Sequence, residues 1–380
     1  NVVHSMLLSE AGWGNSGGLP WVDIDKEKIN PLYWREVEER IAYANSQGIV
    51  VGLALAWGDK RRQEPFAWRR FPDTEARKRY ARYLAARYGA YDVYFIVSGE
   101  WHAEVRARSS TPDAIKAEFI EIGNALAGAD PHDRMIAIHP MTQQGSVREF
   151  NDAAWMAFGD YQQNYRDLHA RLLLSREFNK PLVNAEYGYH LRDSSGDGKP
   201  DKDNSTSLQS IRRASWDIVM AGAYLVTGFG TTYFGGNRDP GPFNLDAPQN
   251  DDWERQIGFI KQFLTGLDWW KLEPHDAWLA CKTPRGADSE EGGQTAPPET
   301  TYWLLADPGS DYVVYARGLS EKLTLDIVPD GAGTYRAILF NPITGESKPL
   351  GNMLSLKDTY DWTPPDDGEW VLHLAHVDGR

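Results

Sequence analysis

Short apolar runs that read as strands alternate along this chain with amphipathic stretches that read as helices, and two of the strand-like runs end in glutamate. The runs are Asp92-Val-Tyr-Phe-Ile-Val-Ser-Gly-Glu100 and Lys180-Pro-Leu-Val-Asn-Ala-Glu186. Strict strand–helix alternation builds a parallel sheet, because a parallel crossover needs a helix to return the chain. A near-continuous apolar strand such as Ile49-Val-Val-Gly-Leu-Ala-Leu-Ala56 is what burial on both sheet faces demands. The fold class expected is therefore α/β, a (β/α)8 TIM barrel followed by a C-terminal β-sandwich. In such a barrel the C-terminal strand ends meet on one face, so carboxylates far apart in sequence can share a cleft.

The expected helices cover 31–47, 73–88, 112–127, 149–154, 166–178, 206–221 and 251–267, and the strands 1–9, 49–56, 92–98, 134–138, 156–161, 181–185 and 223–228. That makes seven strands. If the glutamates occupy strands 4 and 7, the chain as given starts inside strand 2, and strand 1 is expected to come from residues before Asn1 or from another chain. Residues 1–270 form the expected barrel domain and 271–380 the β-sandwich domain, with strands at 301–306, 311–317, 323–328, 334–341 and 369–375, a turn at 341–345, and a long exposed loop at 284–300.

The 380 residues suit a barrel of roughly 250 residues plus a smaller module. A net charge of −14 would repel phosphate-rich partners, which argues against nucleic acid. No run approaches the roughly 18 apolar residues of a membrane span. The single cysteine, Cys281, rules out an internal disulfide, and its apolar neighbours read as a bland buried thiol. Fifteen Trp and 18 Tyr either fill cores or stack against sugar rings.

Two carboxylates facing each other across a cleft are what glycoside cleavage requires, one protonated to release the leaving oxygen and one ionised to attack the anomeric carbon. Trp101 beside Glu100 would desolvate an acid, while Asn184 and Tyr187 would hydrogen-bond an ionised Glu186. Glu104, four residues past Glu100, reads as a solvated loop charge. The strand-end residues Trp57, Trp101, His102, His139, Gln162, Gln163, Tyr187 and Tyr233 are the expected substrate contacts. Each aromatic among them has core packing as its alternative. Trp13, in a Gly-rich loop, would close over the cleft or simply lie in a surface loop.

The segment after the second glutamate offers the candidate metal residues Asp193, Ser195, Asp197, Lys199, Asp201 and Asn204 around Gly198. This is a calcium-loop register without the final glutamate. It reads either as a structural Ca2+ site or as a solvated acidic turn. No cofactor is expected for catalysis itself.

The motifs Val97-Ser-Gly-Glu100, Ile138-His139-Pro140, Pro181-Leu-Val-Asn-Ala-Glu186-Tyr187-Gly-Tyr189 and Ala221-Gly-Ala-Tyr-Leu-Val-Thr-Gly-Phe-Gly-Thr-Thr-Tyr233 resemble the apiosidase-like catalytic domain of the clan A glycoside hydrolases. The resemblance covers roughly residues 1–270, and the tail looks like the small β domain of the collagen-binding type. It implies a retaining glycosidase with Glu100 as acid/base and Glu186 as nucleophile, acting on a plant or microbial polysaccharide in a secreted or periplasmic setting. Family members commonly carry Asp where this chain has Glu100, one methylene longer, which leaves the sugar open. Two other functions fit the same residues: a non-catalytic carbohydrate-binding barrel and a clan A transglycosylase.

Overall fold

The computed structural model describes residues 1–9, 14–23, 28–58, 67–141, 144–162, 166–189, 206–227, 248–291, 294–327, 331–351 and 353–377. Seven parallel strands organise its first part: β1 (Val2–Met6), β2 (Val50–Ala54), β3 (Val93–Ile96), β4 (Ile136–Ala137), β5 (Gly159–Gln162), β6 (Leu182–Asn184) and β7 (Tyr224–Leu225). The order β1-β2-β3-β4 is one parallel sheet, and β5-β6-β7 run parallel in a second, which carries Gln144–Gly145 antiparallel on β5. A parallel bridge between Ile136 and Met156, with the Ala157 amide donating to the Ile136 carbonyl at 2.8 Å, joins the two sheets. Met156 makes only this bridge, so the strand expected over 156–161 begins as a strand at Gly159. Among the described residues no hydrogen bonds join β1 to β7.

Helices follow each strand: α1 (Pro31–Ser46), α2 (Thr74–Tyr88), α3 (His102–Ala107), α4 (Pro112–Ala127), α5 (Val147–Phe150), α6 (Leu168–Ser175), α7 (Leu208–Met220) and α8 (Pro248–Leu264). Their starts are written in the sequence. Asn30, Asp73, Thr111 and Ser207 each accept a hydrogen bond from a first-turn amide, and proline opens α1 and α4.

Strand residues divide by parity, as a pleated sheet requires. Leu53, Phe95, Val97, Ile136 and Tyr161 pack outward against the helices with Trp34, Leu84 and Phe119. Ala54, Tyr94, Ile96, Ala137 and Phe158 form a separate inner cluster.

From Leu279 onward the chain is β-rich. Strands β8 (Leu279–Cys281), β9 (Ser289–Glu291), β10 (Gln294–Ala296), β11 (Thr301–Asp307), β12 (Asp311–Arg317), β13 (Leu323–Asp326), β14 (Gly333–Phe340), β15 (Ser347–Pro349), β16 (Leu354–Leu356), β17 (Thr359–Trp362) and β18 (Glu369–His376) follow one another. A seven-stranded sheet built on β11, β12, β18 and β14 shares a core with the three-stranded sheet β8-β13-β17. The 284–300 excursion is not a plain loop, because β9 and β10 pair within it as a hairpin. Cys281 is half-buried rather than buried, since it sits on the edge strand β8 opposite Leu323.

The large sheet is covered on both faces. Leu304, Tyr312, Val314, Leu372 and Leu374 face the small sheet. Their neighbours Leu305, Val313, Tyr315 and Val371 face Trp216, Val219 and Met220 of α7 and Ile260 of α8. Polar contacts seal this junction: Arg317 grips Asp217 through two hydrogen bonds of 2.8 and 2.9 Å, and Glu369 accepts from Arg212 and Arg213. Among the described residues no helix is long and apolar enough to cross a membrane.

Candidate active site

Beyond Ile96 the chain stays in register with its neighbours. The His139 amide donates to the Ser98 carbonyl at 2.9 Å and the Trp101 amide to the His139 carbonyl at 3.3 Å. Glu100 sits between them with φ +41°, a conformation that a side-chain-bearing residue adopts only when its surroundings impose it. Here the Gly99 amide donates to Ala56 and its carbonyl accepts from Gly58, at 3.0 and 2.8 Å, with the Trp57 ring lying directly over Gly99. A Cβ at Gly99 would stand 1.9 Å from that ring, so glycine is required.

Glu100 is buried, and its Oε1 accepts from Gln162 Nε2 at 3.3 Å. Glu186 is buried at the end of β6. Its Oε2 meets His139 Nε2 at 3.0 Å, and its Oε1 accepts from the Tyr189 hydroxyl. Gly188, at φ +65°, turns the chain so that Tyr189 returns to the glutamate three residues before it. On its other side His139 Nδ1 meets Asp160 Oδ1 at 3.1 Å. Asp160 and Gln162 are two residues apart on β5 and so share a face, about 7 Å apart along the strand. That one strand reaches both glutamates: Gln162 touches Glu100, and Asp160 touches Glu186 through His139.

The electrostatics follow from these contacts. Burial opposes a charge on His139, but the carboxylates of Asp160 and Glu186 outweigh it and raise the ring to about 10. His4, hydrogen-bonded to the Tyr94 phenol, is lowered to about 3 by burial and by His139. Burial likewise lowers His102 to about 4.

Several expected sugar contacts lie elsewhere. Trp101 is 1 % exposed and packs edge-on against Phe150 and beside His102, because α3 starts at once and turns the indole to the helix layer. Tyr187 is fully buried, its hydroxyl bonded to Ser215 of α7 at 2.6 Å. His139 is drawn inward, with both ring nitrogens engaged by protein carboxylates. Trp57 is half-buried and lies 5.2 Å from the His139 ring. Glu104 is not a solvated charge: it is fully buried in α3 and paired with Arg108 at 2.6 Å, the helical i+4 neighbour. Trp13, Gln163, Tyr233 and the proposed calcium ligands Asp193, Ser195, Asp197, Lys199, Asp201 and Asn204 lie outside the described residues.

Sequence reasoning passed over Asp160, His4 and Tyr189. Asp160 had a signal: a lone carboxylate inside an apolar strand must find a partner, because burying it alone is costly.

Comparison with known proteins gives the family. Residues 1–271 match the family model of the apiosidase-like catalytic domain. The chain belongs to that family. Glycosidase activity in general follows from the membership. No protein of curated function matches the sequence. Among solved structures the chain is similar to a glycoside hydrolase, with TM-score 0.76 and 16 % identity over 100 % of this chain and 86 % of the other. It is also similar to a family 5 glycoside hydrolase from Bacteroides vulgatus ATCC 8482, with TM-score 0.75 and 16 % identity over 99 % and 82 % of the two chains. At that identity the likeness is one of fold.

Proposed function

We propose that this apiosidase-like protein is a retaining glycoside hydrolase built on a (β/α)8 barrel, with Glu186 as nucleophile and Glu100 as acid/base. The observation that carries the assignment is the surround of Glu186. Glu186 receives hydrogen bonds at both oxygens, one of them from a histidine held charged, which favours its ionised form. Glu100, buried at the end of a neighbouring strand run with its Oε1 accepting from Gln162, is the second carboxyl and takes the acid/base role.

In the first step a Glu186 oxygen bonds to the anomeric carbon while the bond to the leaving oxygen breaks and Glu100 delivers its proton there. In the second, water attacks the same carbon, gives a proton to Glu100, and the ester to Glu186 breaks. Retention by this route needs the carboxyls about 5–5.5 Å apart. The substrate class is a plant or microbial polysaccharide met outside the cytoplasm. A structural calcium ion at 193–204 and a C-terminal β-sandwich that buttresses the barrel complete the reading, the latter supported by the apolar and ionic contacts of α7 with the large sheet.

Screening aryl glycosides and plant polysaccharides identifies the sugar. A 2-deoxy-2-fluoro glycoside of that sugar should then label Glu186, located by peptide mass mapping. Labelling elsewhere, or a product of inverted configuration, would overturn the proposal.

A further inference from the structure

A neutral imidazole carries one N–H and can donate to only one carboxylate. His139 meets a carboxylate oxygen at each ring nitrogen, at 3.1 and 3.0 Å, and the ring is 2 % exposed, so solvent cannot replace a missing donor. The three groups Asp160, His139 and Glu186 must therefore hold two protons between them, for a net charge of −1. Of the places the second proton could sit, the ring alone is flanked by two carboxylates, and the Tyr189 hydroxyl donating to Glu186 Oε1 favours that group ionised.

We propose that Asp160 is a positioning residue that keeps His139 doubly protonated, so that an imidazolium faces Glu186 and holds it ionised and aimed. This inference rests on Glu186 being the nucleophile.

The groups facing His139 from the packed elements are consistent with it. From β1, His4 is bonded to the Tyr94 phenol of β3 and driven neutral by burial, so it does not compete for the charge. Glu100 is turned to Gln162, and Trp57 supplies only a ring face. Asp160 is fully buried, its amide fixed by Ser146 Oγ at 2.9 Å, and its Oδ2 has no hydrogen-bond partner among the described residues. Burial raises the Asp160 carboxyl, with Glu186 adding to the rise, and the His139 ring that it touches is the charge that opposes this. No proton leaves the ring during the reaction. When the glycosyl ester forms, Glu186 loses its charge and the Asp160–His139 pair remains as an internal ion pair. When the ester is hydrolysed, the imidazolium stabilises the departing carboxylate.

The test uses protein labelled with 15N-histidine, wild type and Asp160→Asn, titrated by NMR with the His139 signal assigned from a His139→Gln sample. Wild-type His139 should keep both N–H protons beyond pH 8, and Asp160→Asn should lose one at a pH lower by about 1–3 units, the effect of removing one adjacent opposite charge. On an aryl glycoside that the wild type cleaves, kcat/KM of Asp160→Asn should gain a fall on the alkaline side, at the pH where its ring sheds the second proton, with the acidic limb not raised because the ring is still charged there. Activity then falls about tenfold above that pH and little below it.

A wild-type His139 that titrates as an ordinary histidine near pH 6.5 overturns the proposal. So does an Asp160→Asn profile that superimposes on the wild type after scaling. If Asp160→Asn does not fold, the wild-type titration alone decides. Should the fluoroglycoside label a residue other than Glu186, the nucleophile assignment fails, while the protonation of His139 is still read independently.

Discussion

Replacing Glu369 by glutamine tests whether the C-terminal sheet and α7 form one structural unit. Glu369 is 3 % exposed and accepts three guanidinium hydrogen bonds, from Arg212 at 2.9 and 2.7 Å and from Arg213 at 3.0 Å, plus the Tyr315 hydroxyl at 3.2 Å. Burial pushes its carboxyl up, but Arg212, Arg317 and Arg213 hold it below the usual carboxylate range. Glutamine keeps the shape, removes the charge, and points an NH2 at guanidinium donors. Leaving buried charges without their partner costs about 3–5 kcal/mol. At about 2 °C per kcal/mol, the low end of the range for 150–250 residues, melting should fall by at most about 6–10 °C in this longer chain. Glu299, which pairs with the same Arg213 at 2.7 Å but is 70 % exposed, is the control. Glu299→Gln makes the same charge change and should cost only about 0–1 kcal/mol. Because the Glu369 carboxyl is depressed, its stabilisation is complete above the unfolded value of about 4.3 and is lost as pH falls through the folded one. The melting curves of wild type and Glu369→Gln should therefore converge in acid. Calorimetry at neutral pH and below pH 4 reads all three quantities. Equal shifts for Glu369→Gln and Glu299→Gln would refute the reasoning, since the junction would then be no more than surface pairing.

Glu186→Gln should nearly abolish turnover of every substrate, whereas Glu100→Gln should spare aryl glycosides with activated leaving groups, which need little protonation; equal loss on a dinitrophenyl glycoside would count against the two roles. Gly99→Ala places a Cβ 1.9 Å from the Trp57 ring on a backbone hydrogen-bonded at both its amide and its carbonyl. Overpacking of this kind costs about 1–3 kcal/mol, and displacing the adjacent Glu100 should lower kcat about a hundredfold; a variant with wild-type melting and kcat would show that the strand end tolerates movement. Chelation should lower the melting temperature if calcium occupies 193–204, and added Ca2+ should restore it; an unchanged melt in EDTA removes that site.

What could be read from the sequence depended on whether one chain segment carried the signal. The strand ends at Glu100 and Glu186 were legible because a carboxylate closing an apolar run has few places to go other than a sheet edge, and helix starts were legible because Asn30, Asp73, Thr111 and Ser207 cap locally. Side-chain direction was not. Trp101 and Tyr187 follow the two glutamates directly, yet both turn into the helix layer, against Phe150 and Ser215, because direction is set by where the next element starts. Glu104 was misread for want of a helix there, although Arg108 at i+4 was present to pair with it.

Asp160 was the costliest omission, and its logic reaches furthest. A polar residue on an inner strand face is bought with apolar packing that Val or Ala would have supplied, so it is kept where another group depends on it. Asp160 has no route to solvent and no contact with Glu186, only His139 between them. Its effect on the nucleophile passes through the protonation of that one ring, beside the direct repulsion between the two carboxylates. For this reason a change at Asp160 should be read first in the pH at which the enzyme works, and only second in how fast it works there.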